Sequence, residues 1–283
     1  MNHHNKLIVV ILDGLNAKTA FRHMGYLSHL LENEQCAAYT VRAQLPAMSR
    51  PLYEVILTGT KALDNGIVNN HIVRNSHYQS VFHLARAQGL STGAAAYHWI
   101  SELYNTSPFN PHTDRMQLHS PHAIEHGIFY WEDDYPDNHL FADGHYLINT
   151  LQTDFTLIHS MNIDDSGHQY GGESAHYALK AAKADILLSD YLPVWLQGGY
   201  QVVITADHGM NEMKFHGGGA CDEERLVPLY VFSDKVQNGD FKDKEICQLN
   251  MAPLLCYLSG IEKSTAMQKM EGVFLAAERG KHE

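Results

Sequence analysis

Apolar and polar positions alternate in two rhythms along the chain, and each rhythm predicts a different element. The run KLIVVIL at 6–12 is almost unbroken and rich in β-branched residues, which is typical of a central parallel strand. Similar runs predict further strands at 37–45, 91–100, 154–164, 200–209 and 226–233. Apolar residues at helical spacing predict helices at 17–34, 51–57, 76–89, 144–152, 173–196 and 245–260. This alternation predicts an α/β fold with a doubly wound, mainly parallel central sheet and helices on both faces.

No repeat, low-complexity run or linker divides the chain, so we expect residues 1–283 to form one domain. Residues 101–140 differ from the rest because they are rich in Pro, Asn, Asp and aromatic residues and lack clean periodicity. We expect this segment to be a small cap insertion over the ligand site. Its aromatic side chains either stack on an organic group of the substrate or pack the core of the cap: Phe109, Tyr130, Trp131 and Tyr135.

Composition narrows the classes of partner. The chain has 20 Lys and Arg against 32 Asp and Glu, and its net charge of −12 argues against binding to a nucleic-acid polymer. A small anionic substrate stays open, because bound metal ions reverse the local sign of charge. The first apolar run is too short for a signal peptide or a membrane span, and the four cysteines are widely spaced. We therefore expect a cytoplasmic protein without a membrane partner.

Acidic and imidazole side chains gather where the predicted strands end. They are Asp13, Asp164, His168, Asp207, His208 and His216. In a doubly wound sheet, ligands bind beyond the carboxyl ends of the strands. Each residue alone is more often a turn or cap residue, but three predicted strands independently end in Asp. Carboxylate and imidazole groups suit zinc and similar divalent ions, so the set predicts a metal centre.

Ser49 is expected at the N-cap of the helix that follows, with Pro51 in the first turn. Without metals it is an ordinary capping serine. Beside metal ions it becomes a candidate nucleophile, because a metal and the positive end of the helix dipole both lower the pKa of its hydroxyl. Arg50 follows it and either serves as an arginine clamp for an anionic substrate or points to solvent.

Together these segments resemble the alkaline phosphatase superfamily, and most closely its type I phosphodiesterase/nucleotide pyrophosphatase family. The resemblance is carried by VVILDG, PAMSRP, NGIVNN, NIDDSGHQYG, TADHGM and HGG, which occur in the family's order. It implies a single alkaline-phosphatase-like catalytic domain that holds two divalent metal ions, most naturally Zn²⁺. One ion would be bound by Asp13, Ser49, Asp207 and His208, and the other by Asp164, His168 and His216.

The same resemblance implies hydrolysis of a phosphodiester or nucleotide pyrophosphate through a covalent phosphoryl-serine at Ser49. Asn70 and the backbone N–H next to Ser49 would steady the phosphoryl oxygens. Three residues depart from the family's pattern: Ser49 replaces the usual Thr, Leu52 the usual Asn, and Asn65 the usual His. These departures preserve the two-metal core and leave the nucleotide substrate open.

Other functions compete with this interpretation. A phosphonate hydrolase of the phosphonoacetate type, or a phosphomonoesterase, fits the same metal core. A sulfatase is disfavoured because Tyr53 stands where its motif has Arg, and a phosphomutase because the insertion is short. A binding protein with structural metals is disfavoured because structural zinc sites prefer closed, Cys-rich shells. We therefore expect a metal-dependent hydrolase that takes a small anionic phosphate ester or phosphonate.

Overall fold

Within residues 5–217, 219 and 221–274, which this computed structural model describes, one nine-stranded sheet runs through the protein. The strands are β1 (Leu7–Leu12), β2 (Ala37–Arg42), β3 (Thr92–Tyr97), β4 (Met116–Gln117), β5 (His126–Tyr130), β6 (Phe155–Ser160), β7 (Gln201–Thr205), β8 (Leu226–Phe232) and β9 (Gly239–Cys247). Their order across the sheet is β4-β5-β3-β6-β1-β7-β8-β2-β9.

The sheet is mixed. Its central strands β5, β3, β6, β1 and β7 are parallel, which confirms the predicted arrangement for all of them except β5, a strand that was not predicted. Antiparallel pairs lie towards both edges. On one side β4 pairs with β5, and on the other side β8 pairs with both of its neighbours, β7 and β2. A parallel connection needs a crossover of a dozen or more residues, usually a long helix, and only a one-turn helix lies between β7 and β8 in the described ranges. The prediction of a mainly parallel sheet is therefore confirmed at the centre and incomplete at the edges.

Both faces of the sheet centre are covered, because all six residues of β1 are fully buried. Helices α1, α2, α8 and α9 contact α10, whereas α3 and α5 contact α12, and both groups touch the sheet. The helices are α1 (Ala17–His23), α2 (Gly25–Glu32), α3 (Ser49–Thr58), α4 (Ala62–Asn65), α5 (Val81–Ala87), α6 (Trp99–Tyr104), α7 (Pro111–Asp114), α8 (Asp137–Asn149), α9 (Asn162–Tyr170), α10 (Ala175–Gln197), α11 (Asp222–Arg225) and α12 (Met251–Ser259).

Several boundaries differ from those predicted. The helix expected at 17–34 is two helices, because the chain leaves helical geometry at Met24 before α2 begins. The strand expected at 154–164 ends at Ser160, and Asp164 lies in the first turn of α9. Acidic residues in a first helical turn are stabilised by the helix dipole, which explains why this polar stretch is helical. The helix expected at 245–260 begins only at Met251, because β9 continues to Cys247 and Gln248–Asn250 form a 3₁₀ turn.

The segment 101–140 is more ordered than expected. It contains most of α6, α7, β4, β5 and the start of α8. All five residues of β5 are buried, and β5 pairs with β3 in parallel, so this part of the segment belongs to the central sheet. The apolar stretch of β5 is short and bordered by acidic residues, which hid it from a search for periodicity. That residues of 101–140 cover the site as a cap stays a prediction.

The longest helix of the described ranges, α10, has 23 residues and buries one stripe of its surface. That stripe includes Tyr177, Ala181 and Leu188, while Leu179 and Ile186 face outwards. Among the helices of the described ranges, none combines the length and the apolar character needed to cross a bilayer.

Candidate metal centre

Three neighbouring strands bring the acidic residues together. In the sheet, β1 lies between β6 and β7. Asp13 follows β1, Asp207 follows β7, and Asp164 lies on α9 just behind β6. One convergent group contains Asp13, Asp207 and His208, and another contains Asp164, His208 and His216; within each group the ligand atoms lie within 4.8 Å of one another.

His208 stands at the centre of the first group. Its Nε2 lies 3.4 Å from Asp13 Oδ1, 3.2 Å from Asp207 Oδ2 and 3.0 Å from Ser49 Oγ. Its Nδ1 lies 3.0 Å from the carbonyl oxygen of Gly209. Because a carbonyl oxygen only accepts, Nδ1 carries the ring proton and Nε2 offers a lone pair. The Ser49 hydroxyl therefore donates to the nitrogen that faces the two carboxylates.

His168 and His216 share Asp164. His168 lies one helical turn after Asp164 on α9, with its Nε2 3.4 Å from Asp164 Oδ2, and His216 Nε2 lies 3.5 Å from Asp164 Oδ1. Their Nδ1 atoms approach the carbonyl oxygens of Lys214 and Ala47 at 3.2 and 2.9 Å, so both Nε2 atoms present lone pairs. These two Nε2 atoms are 2.9 Å apart, a contact that needs a proton or a cation between them.

The second convergent group differs in one member from the set that the family resemblance implied. It contains His208 where the resemblance placed His168. The His168 side chain is 45% exposed and lies at the outer rim, next to His216. The rings of His208 and His216 stack with centroids 3.7 Å apart, which joins the two groups into one cluster.

Each aspartate in the cluster has one buried oxygen that finds no hydrogen-bond partner among the described residues: Asp13 Oδ1, Asp164 Oδ1 and Asp207 Oδ2. Burial, reinforced by repulsion from neighbouring carboxylates, raises the pKa of Asp13 and raises that of Asp207 to about 7. Burial also lowers the pKa of His208, and it lowers that of His216 to about 4. Oxygens that lack partners, beside imidazoles that resist protonation, fit divalent cations well.

Asp164 behaves differently from the other two aspartates. Burial alone would raise the pKa of its carboxyl group, but the contact with His168, whose Nε2 donates when that ring is protonated, and the nearby His208 and His216 lower it below the usual value. The contact with Asp164 in turn raises the pKa of His168. Asp164 is therefore ready to bind a cation as a carboxylate.

Ser49 is the first helical residue of α3, and Met48 is the N-cap, so the expected capping role of Ser49 is wrong. Its hydroxyl points to His208 instead. Asn70 lies beside the same turn, where its Oδ1 accepts the backbone N–H of Arg50 at 3.1 Å. The N–H expected to steady a phosphoryl oxygen is thus held by Asn70 in this structure.

Arg50 does not point to solvent, so that alternative is wrong. Its side chain is 1% exposed, and its Nη2 lies 2.7 Å from Glu102 Oε2. Its guanidinium also lies over the ring of Trp99, 4.6 Å from the centroid. The reason is that α6, which carries Trp99 and Glu102, packs against α3.

The two residues that replace the family's usual Asn and His serve the core. Leu52 belongs to a small buried apolar cluster. Asn65 is buried too; its Oδ1 accepts the N–H of Ile67 at 2.8 Å and its Nδ2 donates to Thr60 Oγ1 at 3.1 Å. Asn65 therefore shapes the loop that leads to Asn70.

Sequence reasoning missed two residues that contact Asp13. The Tyr53 hydroxyl donates to Asp13 Oδ2, and His159 Nε2 lies 3.0 Å from the same oxygen. Two signals were present in the sequence. Tyr53 lies one helical turn after Ser49, and His159 is an imidazole inside the fully buried strand β6.

Comparison with known proteins identifies the family of this chain. The family model of type I phosphodiesterase / nucleotide pyrophosphatase matches residues 7–227. Among curated relatives, GPI ethanolamine phosphate transferase 2 of Debaryomyces hansenii is 22% identical over 90% of this chain and 30% of its own length. The catalytic subunit of human GPI ethanolamine phosphate transferase 2 is 21% identical over 91% of this chain and 26% of its own length. The chain thus spans less than a third of these relatives.

Solved structures show the same fold. Human ectonucleotide pyrophosphatase/phosphodiesterase 5 superposes with a TM-score of 0.72 and 12% identity, covering 96% of this chain and 100% of that one. The murine protein, solved as an inactive variant in complex with AMP, gives a TM-score of 0.71 and 12% identity over 94% of this chain and 97% of its own. The family match extends over most of the chain, and the chain belongs to the type I phosphodiesterase/nucleotide pyrophosphatase family of the alkaline phosphatase superfamily.

Proposed function

We propose that this protein is a two-metal hydrolase that cleaves phosphate esters of the phosphodiester or nucleotide pyrophosphate type. One observation carries the proposal. Three buried carboxylates, each with an oxygen unpartnered within the described ranges, and the lone pairs of neighbouring imidazoles converge beside the hydroxyl of Ser49. A buried cluster of this kind costs free energy unless cations fill it, and an adjacent hydroxyl gives it a nucleophile.

The residues divide between two cation positions. Asp13, Asp207, His208 and Ser49 would hold one ion, and Asp164, His168 and His216 the other, with His208 close to both groups. When bound, a pair of divalent ions, most naturally Zn²⁺, supplies positive charge to the phosphate and lowers the pKa of nearby hydroxyls.

The side chains of the protein then perform the group transfer. Ser49 Oγ gives its proton to water and attacks phosphorus, the bond from phosphorus to the leaving oxygen breaks, the leaving group departs with the electron pair of that bond and is protonated by solvent, and a phosphoryl-serine forms. Water attacks the phosphoryl-serine in a second step, releases the phosphate product and restores the hydroxyl. Asn70 holds the first turn of α3 through the backbone of Arg50, and its amide would steady a phosphoryl oxygen.

The surroundings of Ser49 favour a diester over a monoester. A monoester carries a second negative charge, which an arginine near the nucleophile would help to bind. Arg50 is next to Ser49 but is buried against Glu102 and Trp99. A phosphomonoesterase is therefore less favoured than a diesterase. It stays an alternative on the same metal core, together with a phosphonate hydrolase.

A phosphotransferase is the second candidate, and the named relatives favour it. Two of them are GPI ethanolamine phosphate transferases. A phosphoryl-serine serves either outcome, because the second step can use an alcohol in place of water. The two candidates differ chemically in the nature of this acceptor.

The test uses the full chain, stripped of metal and then reconstituted with Zn²⁺. We expect hydrolysis of bis(4-nitrophenyl) phosphate that is lost on chelation and returns with zinc, with slower turnover of 4-nitrophenyl phosphate and phosphonoacetate. Adding ethanolamine or glycerol separates the two candidates, since a transferase forms the new ester. A protein that keeps both metals and cleaves none of these substrates would contradict the proposal. A cytoplasmic location and the absence of a membrane partner stay predictions.

A further inference from the structure

We infer that Tyr53 and His159 are positioning residues that make Asp13 a one-oxygen ligand of the first metal ion. This inference rests on the proposed metal centre and concerns how that centre is held. Both residues contact the carboxylate of Asp13 from outside the proposed ligand set. Asp13, Tyr53 and His159 are all completely buried.

Both contacts fall on the same oxygen of Asp13. The Tyr53 hydroxyl donates to Oδ2, and His159 Nε2 lies 3.0 Å from Oδ2. The other ring nitrogen, His159 Nδ1, lies 3.4 Å from the backbone nitrogen of Tyr97. A backbone N–H only donates, so Nδ1 accepts and Nε2 carries the proton that it gives to Asp13. Two donors therefore occupy Oδ2.

The other oxygen is left free for a cation. Asp13 Oδ1 has no hydrogen-bond partner in the part of the chain that the structure describes, and it lies 3.4 Å from His208 Nε2. Rotating the carboxylate to offer both oxygens would break two buried hydrogen bonds. Asp207 shows the same division, because its Oδ1 accepts the N–H of Gly14 at 3.2 Å while its Oδ2 has no partner among those same residues. The protein thus holds one oxygen of each carboxylate and presents the other.

Tyr53 also ties the nucleophile to the metal ligands. It lies on α3, one turn after Ser49, and its ring packs edge-on against His159 at a centroid distance of 4.6 Å. The helix that carries Ser49 is thereby bonded directly to the ligand at the end of β1. Outer contacts of this kind orient ligands and typically change metal affinity about 10–100-fold when removed.

The test measures zinc affinity by competition with a chromophoric chelator, so it does not depend on turnover. We expect Tyr53→Phe and His159→Leu each to weaken one of the two zinc sites about 10–100-fold while the other is unchanged. His159→Gln should recover most of the loss, because its amide nitrogen can donate from a similar place. Tyr104→Phe is the matched control, since the buried Tyr104 hydroxyl donates to the Glu54 carboxylate at 2.8 Å, within a different set of contacts.

The outcomes separate this inference from the proposed function. If the wild type binds two zinc ions and both Tyr53→Phe and His159→Leu bind them as tightly, the positioning role is wrong and the metal centre stands. If the wild type binds no zinc, both proposals fall. Circular dichroism checks folding, and should His159→Leu unfold, Tyr53→Phe decides, because it removes a single oxygen atom.

Discussion

Arg50 and Glu102 form a buried ion pair directly after the serine of the candidate site. Their side chains are 1% and 6% exposed, and 2.7 Å separates Arg50 Nη2 from Glu102 Oε2. Glu102 Oε1 also accepts the backbone N–H of Phe109 at 3.0 Å. The pair therefore fastens the first turn of α3 both to α6 and to the chain that leads to α7.

Removing one partner of this pair should destabilise the protein strongly. Glu102→Ala leaves the Arg50 charge buried and unpaired, and we expect the free energy of unfolding to fall by about 3–5 kcal/mol. The double replacement Arg50→Met, Glu102→Leu should recover most of that loss. Urea unfolding measures both. Glu173→Ala, which breaks the exposed contact with Lys18, is the control and should change the free energy of unfolding little. If Glu102→Ala and Glu173→Ala lower the free energy of unfolding equally, the prediction is wrong.

Replacing Ser49 separates chemistry from metal binding. Ser49→Ala removes the attacking oxygen, so turnover of a diester should fall by roughly a thousandfold or more. Zinc content should stay at about two ions per chain, because the carboxylates and imidazoles of the cluster remain. Ser49→Thr keeps a hydroxyl and should retain activity. Full activity in the alanine variant would reject the nucleophile.

Without metal, Asp207 should contribute stability that falls as pH rises. Burial and the nearby Asp164 raise the pKa of Asp207 to about 7 in the folded state, so between about pH 4 and 7 the folded protein holds a proton that the unfolded chain releases. The stability that protonated Asp207 contributes is therefore present below about pH 4 and is lost as the pH rises to about 7.

Zinc should reverse that trend, because it binds the deprotonated ligands and stabilises the folded state at neutral pH. Thermal unfolding from about pH 5 to about pH 8, with and without zinc, measures both effects. Asp207→Asn should flatten the metal-free pH dependence and abolish much of the zinc response. An identical pH dependence in the metal-free wild type and in metal-free Asp207→Asn would contradict the assignment.

Gly14 should tolerate no side chain. Its φ is +71°, and a Cβ there would lie 2.6 Å from Asp164 Oδ1 and 2.8 Å from Asp164 Cα. We therefore expect Gly14→Ala to displace Asp164 and to lower both zinc content and activity. Gly89→Ala is the matched control, because its φ is +79° and a Cβ there would meet no atom of the described residues within 4 Å. The control carries only the left-handed backbone cost of about 1–2 kcal/mol and should keep its zinc.

The parts of the site that follow buried strands could be predicted from the sequence. Asp13 and Asp207 each come after a run of apolar residues, and the strands that carry them are neighbours in the sheet. The local pattern contained their strand-end position, and the rule that ligands bind beyond the carboxyl ends of strands in a doubly wound sheet predicted their convergence. Asp164 was placed correctly near the site but on the wrong element, because the strand stops at Ser160 and a helix begins.

Contacts between distant segments could not be predicted in the same way. The burial of Arg50 depends on the packing of α6 against α3, and the contact of His159 with Asp13 joins residues 146 positions apart. No periodicity encodes either contact. The buried strand β5 was missed for another reason, since five residues are too few to stand out beside an acidic loop.

The histidines of the site are anchored to main-chain carbonyl oxygens. His168 is held by Lys214, His208 by Gly209 and His216 by Ala47, each through Nδ1. A carbonyl oxygen survives any replacement of its own side chain. The imidazoles are thus held by the path of the main chain at positions 47 and 214 and not by the side chains there, so a replacement that preserves this path should leave the geometry of the candidate metal centre intact.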